Sequence, residues 1–278
     1  MTTRVDGKAI AKKIQTHLKR YTDRLEVPIN FDIVYVGSDP VIDNFIRYKR
    51  KFGEAIGVNV TVHDFPSDIS QSELVSSINS LNISSDAIIV QLPLPEHLDM
   101  TAITSTVVPL KDVDVLGTRA VDAFKKRNEM FFPPVTGSVI EVLRHHNIVL
   151  KNKKIVVIGN GSLVGYPMTL WLDNNEFSYN LLVKETPPTL RNELIMMADV
   201  IISGTGSPDL VKGHMVKEGV VLIDAGTSES GKKIIGDIKS DAYDKSSLYT
   251  PVPGGIGPIT IAILYTNIIK AHKKQNHA

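Results

Sequence analysis

Lys154-Ile-Val-Val-Ile-Gly-Asn-Gly-Ser-Leu-Val-Gly-Tyr-Pro-Met-Thr-Leu-Trp-Leu172 decides the fold. Its apolar run ends in a glycine turn, Gly159 to Gly165, that opens into a helical pattern. A strand, a glycine turn and a helix in that order place backbone N–H groups and a helix N-terminus where a pyrophosphate can sit. The glycines permit a tight turn and close approach of the backbone to a ligand. The spacing G-x-G-x-x-x-G is one residue longer than the commonest dinucleotide fingerprint, and a strand-to-helix turn with glycines for packing alone is the competing reading. Three more short apolar runs follow, at Tyr179–Val183, Val200–Ser203 and Val220–Ile223. Two of them lead into small residues, Ser203-Gly-Thr-Gly206 and Asp224-Ala-Gly226. Ligands of open α/β sheets sit at the carboxyl ends of strands, so several such ends along one rim support a bound dinucleotide. After the strand that ends at Val183 come Lys184 and Glu185. A cation there suits a 2′-phosphate and an acid suits a 2′-hydroxyl, which leaves NADP and NAD both open.

Toward the N-terminus the chain alternates helix and strand signals. Ile10, Ile14 and Leu18 recur at helical spacing; Phe31–Val36 forms a β-prone run stopped by Gly37-Ser-Asp-Pro40. A helix is predicted over Ile42–Ile56 with Gly57 as its stop, then a strand at Val58–Val62, a helix at Ser70–Leu81 and a buried strand at Ala87–Val90. Residues 109–138, with charge and proline clusters and weak periodicity, are expected to form the crossover to a second domain. A helix at Ser138–His146 and a final apolar helix over Thr260–His272 complete the reading. Strands alternating with helices imply a mostly parallel sheet in each domain.

Composition narrows the function. The chain has 278 residues, which suggests two domains, and 42% hydrophobic content suffices for sizeable cores. Thirty-one Lys and Arg against 30 Asp and Glu leave no basic field, which argues against a nucleic-acid or membrane-surface binder. With no cysteine there are no disulfides, thiolate metal sites or thiol nucleophiles. Neither a signal peptide nor an apolar run of membrane-spanning length is evident, so a soluble cytoplasmic protein is expected. His145 and His146 prompt a metal reading, but adjacent histidines on a helix diverge by about 100° and no carboxylate is spaced to join them. They are expected on the surface, and no metal is expected.

Phe45, Lys49, Phe52 and Ile56 share one helix face by spacing, with Arg47, Arg50, Lys51 and Glu54 opposite. A lysine in an apolar stripe is either paired or functional, or it snorkels its ammonium to water. Desolvation would lower its pKa and leave an amine able to act as a base. Gln91 opens Gln91-Leu-Pro-Leu-Pro95 at the carboxyl end of a strand, where the prolines force an extended exit. Lys111-Asp-Val-Asp114 offers two carboxylates that an extended segment would point the same way, toward an amidine-like partner; a surface acidic turn is the alternative. Thr250-Pro-Val-Pro-Gly-Gly-Ile-Gly-Pro-Ile-Thr260 is too rigid and too rich in glycine for a plain linker.

Taken together, these motifs resemble the methylenetetrahydrofolate dehydrogenase/cyclohydrolase family. The resemblance is carried by Asp6-Gly-Lys8, Val36–Pro40, Lys49-Arg-Lys51, Val90–Pro95, Lys111–Asp114, Val164-Gly-Tyr-Pro167, Gly236-Asp237 and Thr250–Thr260, almost end to end. It implies a three-layer α/β folate-binding catalytic domain of residues 1–118 completed by a C-terminal helix, 260–278. A Rossmann-type domain, 119–259, would lie between them, with substrate in the cleft and homodimers formed through the dinucleotide-binding domain. The implied chemistry is oxidation of 5,10-methylenetetrahydrofolate to the methenyl cation, then hydrolysis to 10-formyltetrahydrofolate. By resemblance Lys49 is the central catalytic residue, Gln91 sets its protonation state, and Asp114 binds the amino-pyrimidine edge of the pterin. Phe45, Leu92, Pro93, Pro253, Gly254, Gly255 and Pro258 would line the substrate. Gly159, Asn160, Gly161, Ser162, Val164, Gly165, Lys184, Gly204, Thr205, Gly226 and Thr227 would hold NADP, favoured over NAD by Lys184.

This sequence departs from the family pattern at several of those positions. Phe45 replaces the usual tyrosine, Ile42 the usual serine before it, and Val115 the usual glycine after Asp114. A PCTP-type segment reads Pro133-Pro-Val-Thr136, Gly161 replaces a serine, and Asn160 stands where NADP-using members often carry arginine. Most departures fall at the folate pocket, which predicts a better-preserved dehydrogenase than cyclohydrolase. They also keep two rivals in view: an oxidoreductase acting on another small molecule, and a non-catalytic dinucleotide-binding dimer.

Overall fold

The computed structural model describes residues 2–127, 130–230 and 233–276. In chain order the strands and helices are β1 (Thr3–Arg4), α1 (Gly7–Thr22), β2 (Asn30–Val36), α2 (Pro40–Ala55), β3 (Asn59–Phe65), α3 (Gln71–Ser84), β4 (Ala87–Val90), α4 (Met100–Thr106), α5 (Thr118–Lys125) and α6 (Pro134–His145). They continue with β5 (Ile155–Ile158), α7 (Gly165–Asn174), β6 (Tyr179–Leu182), α8 (Pro188–Met197), β7 (Val200–Ser203), β8 (Val220–Asp224), β9 (Ser228–Ser230), β10 (Lys233–Ile235), β11 (Ser246–Tyr249) and α9 (Ile256–Asn276). The chain forms two compact units, Lys12–Pro134 with Ile261–Ala278, and Met1–Ala11 with Val135–Thr260.

In the first of these, three parallel strands run in the order β3-β2-β4. Period-two side chains send Val34, Val36, Ile88 and Val90 to one face, where Leu74 and Ile78 of α3 and Ile103 of α4 cover them. On β2, Phe31 faces the other way and meets Tyr265 of α9, so the C-terminal helix completes this unit as expected.

The second unit is built on a six-stranded parallel sheet in the order β1-β11-β8-β7-β5-β6. Ile155–Ile158, Val200–Ser203 and Val220–Asp224 are buried at every position, the continuous apolar signature of strands covered on both faces. β9 and β10 form a separate antiparallel pair.

Differences from the sequence reading have local causes. α2 starts at Pro40 rather than Ile42, because Asp39 caps it, accepting from the N–H groups of Val41 and Ile42 at 2.7 and 3.1 Å, and Pro40 suits the first helical position. Val36-Gly-Ser-Asp-Pro40 is thus a strand exit and helix cap, with Gly37 at φ +87°. Gly57, at φ +75°, stops the helix as predicted. α6 starts at Pro134, four residues early, and α5 lies inside the expected crossover. α9 is longer than expected at both ends. The Lys111–Asp114 segment is a chain of turns rather than an extended run, and its two carboxylates meet different groups, Asp112 the N–H groups of Leu116 and Gly117 and Asp114 the Lys49 ammonium. His145 and His146 are half-buried rather than on the surface. Just past α6, desolvation lowers the His146 pKa, and its Nε2 is buried without a hydrogen-bond partner. No group of side chains suited to a metal occurs among the described residues, and no described helix is long and apolar enough to cross a membrane.

Candidate functional site

In the three-stranded unit, α2 carries Lys49 on its inner side between buried Ile46 and Gly53, with Phe45 one turn earlier and half-buried. Lys49 is itself half-buried. Its Nζ donates to Gln91 Oε1 at 2.7 Å. The Gln91 amide is fixed in that sense because its Nε2 donates to the Leu92 carbonyl at 2.8 Å. Gln91 also extends the sheet, its N–H donating to Val34 O at 2.8 Å, so the strand end aims the amide. The Leu92–Pro93 bond that follows is cis, and Pro93 is exposed.

Asp114 completes this group. Desolvation pushes the Lys49 pKa down and the Asp114 pKa up, and the attraction between the two charges opposes both shifts. The neighbouring Asp112 has a different task. It is 3% exposed and accepts the Leu116 and Gly117 N–H groups at 3.1 and 2.8 Å, which folds the turn that presents Asp114. Burial lifts its pKa to about 7 against those hydrogen bonds. Val115 takes φ +58° in this turn, a left-handed conformation that a β-branched residue rarely adopts.

The six-stranded unit holds the other predicted residues. Gly159 leaves β5 at φ +93°, and a Cβ on Gly165 would overlap the Gly159 carbonyl. Gly165 is therefore the close-packing glycine of the turn. Gly161 meets nothing within 4 Å, so space does not require a glycine there. Asn160 and Ser162 are exposed. Val164 packs on Gly204, where a Cβ would collide with it. α7 begins without a side-chain cap; the Tyr166 N–H turns back on Gly161 O at 3.1 Å and Pro167 has no N–H, so at its first turn the Gly165 N–H is the one open to an anion. The open space over Gly161, beside a helix start with no side-chain cap, fits a dinucleotide pyrophosphate. Lys184, Thr205 and Thr227 are exposed on the loops after β6, β7 and β8.

What sequence reading missed is the brace beneath this rim. Asp237, fully buried, accepts the Ser203 hydroxyl and the Thr205 N–H, both at 2.7 Å, and the Ser207 N–H at 2.9 Å. Asp224, 1% exposed, accepts the N–H groups of Gly226, Asp237 and Ile238 at 3.0, 3.2 and 2.8 Å. Burial raises its pKa to about 7. Two carboxylates thus tie the turns after β7 and β8 to the segment after β10. Gly226 and Gly236 leave room for them, since a Cβ on either would overlap Asp237 or Asp224. The dipeptide Gly236-Asp237 was the one visible signal.

The Pro253 loop is braced in the same unit. Gly254, at φ +105°, accepts the Gly7 N–H at 3.0 Å, and the Gly255 N–H donates to Pro251 O at 2.7 Å. A Cβ on Gly7 would overlap the Gly255 carbonyl, which explains the glycine of Asp6-Gly-Lys8. Pro258 lies in the first turn of α9.

Two family models match: the tetrahydrofolate dehydrogenase/cyclohydrolase catalytic domain over residues 5–114 and its NAD(P)-binding domain over residues 133–276. The bifunctional protein FolD of Aquifex aeolicus is 34% identical, over 98% of this chain and 95% of the relative. That of Nautilia profundicola is 35% identical over 98% and 97%. Among solved structures, the bifunctional FolD of Campylobacter jejuni superposes with a TM-score of 0.93 at 33% identity, covering 99% of this chain and 100% of that one. The Trypanosoma brucei enzyme complexed with NADP and an inhibitor gives 0.94 at 30% identity, covering 100% and 99%. With both of its characteristic domains matched and full-length relatives above 30% identity, the chain belongs to the tetrahydrofolate dehydrogenase/cyclohydrolase family.

Proposed function

We propose that this protein oxidises 5,10-methylenetetrahydrofolate to the methenyl cation and hydrolyses that cation to 10-formyltetrahydrofolate. The observation that carries the reading is the 2.7 Å contact between Lys49 Nζ and Gln91 Oε1, with Asp114 as the lysine's acidic neighbour. The bound nicotinamide supplies the acceptor for the hydride leaving the methylene carbon. Asp114 accepts the N–H donors of the pterin's amino-pyrimidine edge. In the second step water adds to the methenyl carbon and Lys49, whose amine desolvation shifts toward the neutral form, takes one proton; the remaining hydroxyl proton passes to the ring nitrogen as its C–N bond breaks, giving the formyl product. Gln91 holds the amine by accepting one of its N–H bonds, which orients the nitrogen lone pair.

NADP is the cofactor we assign. Lys184 is exposed on the loop after β6, and Arg191 lies in the first turn of α8 with its Nε buried and unpartnered. Arg191 shares a helix stripe with Leu194, Ile195 and Ala198, which pack on the sheet, so its stem lies against the strand ends where a 2′-phosphate binds. An assay with methylenetetrahydrofolate, run in parallel with NADP and NAD, tests substrate and cofactor together. Turnover with NADP and a preference reversed in Lys184→Ala/Arg191→Ala are expected. Dinucleotide binding without any turnover of the folate would favour an oxidoreductase of another substrate or a non-catalytic dimer.

A homodimer joined through the six-stranded unit is the assembly we assign. β6 is an open sheet edge, and Leu190, Met196 and Met197 of the adjacent α8 are exposed. Light scattering on the purified protein reads the mass directly.

A further inference from the structure

Tyr265 is fully buried in α9, stacked on Phe52 with centroids 4.9 Å apart and edge-on to Phe31 at 5.7 Å. A buried phenol needs a partner for its hydroxyl. Here the hydroxyl donates to the backbone carbonyl of Lys49 at 2.7 Å, across 216 residues of sequence. The Gly53 N–H, one turn further along α2, faces the same oxygen. A Cβ at position 53 would overlap that hydroxyl and Val60, so Gly53 is what admits the phenol to the helix backbone. Two residues along α9, Asn267 is 1% exposed and donates to the carbonyls of Val113 and Phe132 at 2.9 and 2.8 Å. Val113 immediately precedes Asp114. One helix therefore grips the backbone at Lys49 and beside Asp114, through side chains that leave it about 200° apart.

We propose that Tyr265 is a positioning residue for the reaction: its hydroxyl sets the Lys49 peptide and, through it, the place of the amine beside Gln91. The proposal rests on the reading of Lys49 as the catalytic base. A helix carbonyl that accepts a second donor tilts away from the axis. The lysine nitrogen lies about 6 Å from its Cα, so a tilt of about 10° moves it by about 1 Å. A displacement of that size costs on the order of a hundredfold in rate.

Tyr265→Phe keeps both ring contacts and removes only the O–H. We expect kcat for methenyl hydrolysis to fall roughly tenfold or more, with KM for the folate changed less than about twofold. Lys49→Met is assayed beside it. If Lys49→Met is inactive while Tyr265→Phe keeps wild-type kcat, or loses only melting temperature, the positioning role is overturned and the base assignment stands. If Lys49→Met turns over normally, the base assignment itself is overturned. Circular dichroism establishes that each variant is folded. Should Tyr265→Phe fail to fold, Gly53→Ala, which displaces the same hydroxyl, gives the same kcat and KM comparison.

Discussion

Lys49 and Gln91 are joined in a defined sense: the amine donates to Oε1 at 2.7 Å while the other end of the amide is held by the Leu92 carbonyl. A neutral acceptor orients the amine without stabilising its charged form as a carboxylate would. That distinction makes the pair testable. Gln91→Glu places a negative charge at the same distance and raises the lysine pKa. Because the neutral amine is the active form, the midpoint of the rise of kcat with pH should move upward by about 1–3 units. Cyclohydrolase activity near neutral pH should drop roughly tenfold or more and recover in alkaline buffer. A pH–kcat profile with an unmoved midpoint would remove Lys49 from the role of base.

Asp237 gives a prediction for the cofactor side. Its two oxygens meet three donors, from Ser203, Thr205 and Ser207. Asparagine at this position turns one acceptor oxygen into an NH2 group facing those donors. Each buried donor left unsatisfied costs about 1–3 kcal/mol. Asp237→Asn should therefore weaken dinucleotide binding roughly tenfold or more, since the turn holding Gly204 and Thr205 loses its anchor. Calorimetric titration with NADP measures this, and unchanged affinity would show that the brace does not reach the cofactor.

Asp112 predicts a pH dependence of stability. Its folded pKa, about 7, lies above the ordinary carboxylate value. A proton is thus held more tightly in the folded state, and the associated stability is complete below about pH 4 and lost as pH rises through 7. Above 7 the protein carries a desolvated charge at this position. Asparagine can keep its oxygen toward the Leu116 and Gly117 N–H groups without that charge. Asp112→Asn should melt higher than wild type at pH 8, with the difference shrinking toward pH 5. Melting curves across that range decide it; a difference that grows on acidification reverses the sign and sinks the account.

How much of this was visible in the sequence depends on what each residue contacts. The turn at Gly159–Gly165, the lysine in an apolar stripe and the strand end at Gln91 are local patterns, set by periodicity and turn chemistry within a few residues. At Lys111–Asp114 the sequence leaves an extended segment and an acidic turn both open, because the choice falls to the hydrogen bonds by which Asp112 folds its own turn. β1, two residues long, and β11, Ser-Ser-Leu-Tyr, carry too little pattern to stand out. The Asp224–Asp237 brace and the Tyr265–Lys49 contact arise only when the sheet and the C-terminal helix are assembled. Asp224 and Tyr265 look ordinary beside their neighbours in sequence, and nothing local pairs them with Asp237 and Lys49. Val115 was visible as an oddity, and the structure supplies its meaning: a left-handed position at which glycine carries no strain.

Phe45 bears on the balance of the two activities. It stands one helical turn before Lys49, so the two side chains are neighbours on α2. The family's usual tyrosine would put a hydroxyl beside the amine, able to relay or orient the water that attacks the methenyl carbon. Phenylalanine keeps the ring for stacking and has no hydroxyl. Hydride transfer from the methylene carbon requires positioning alone, whereas hydrolysis requires proton transfer as well. A positioned proton-transfer group contributes about 10²–10⁴-fold. Since Gln91 and Lys49 remain, Phe45→Tyr should recover only part of that, raising methenyl hydrolysis by roughly tenfold while leaving dehydrogenase kcat within about twofold. Phe45 is half-buried, so the added hydroxyl is not stranded away from water. Decay of methenyltetrahydrofolate absorbance compares wild type and variant directly. Hydrolysis by the wild type at the rate of its tyrosine-bearing relatives would show that the hydroxyl is dispensable in this pocket.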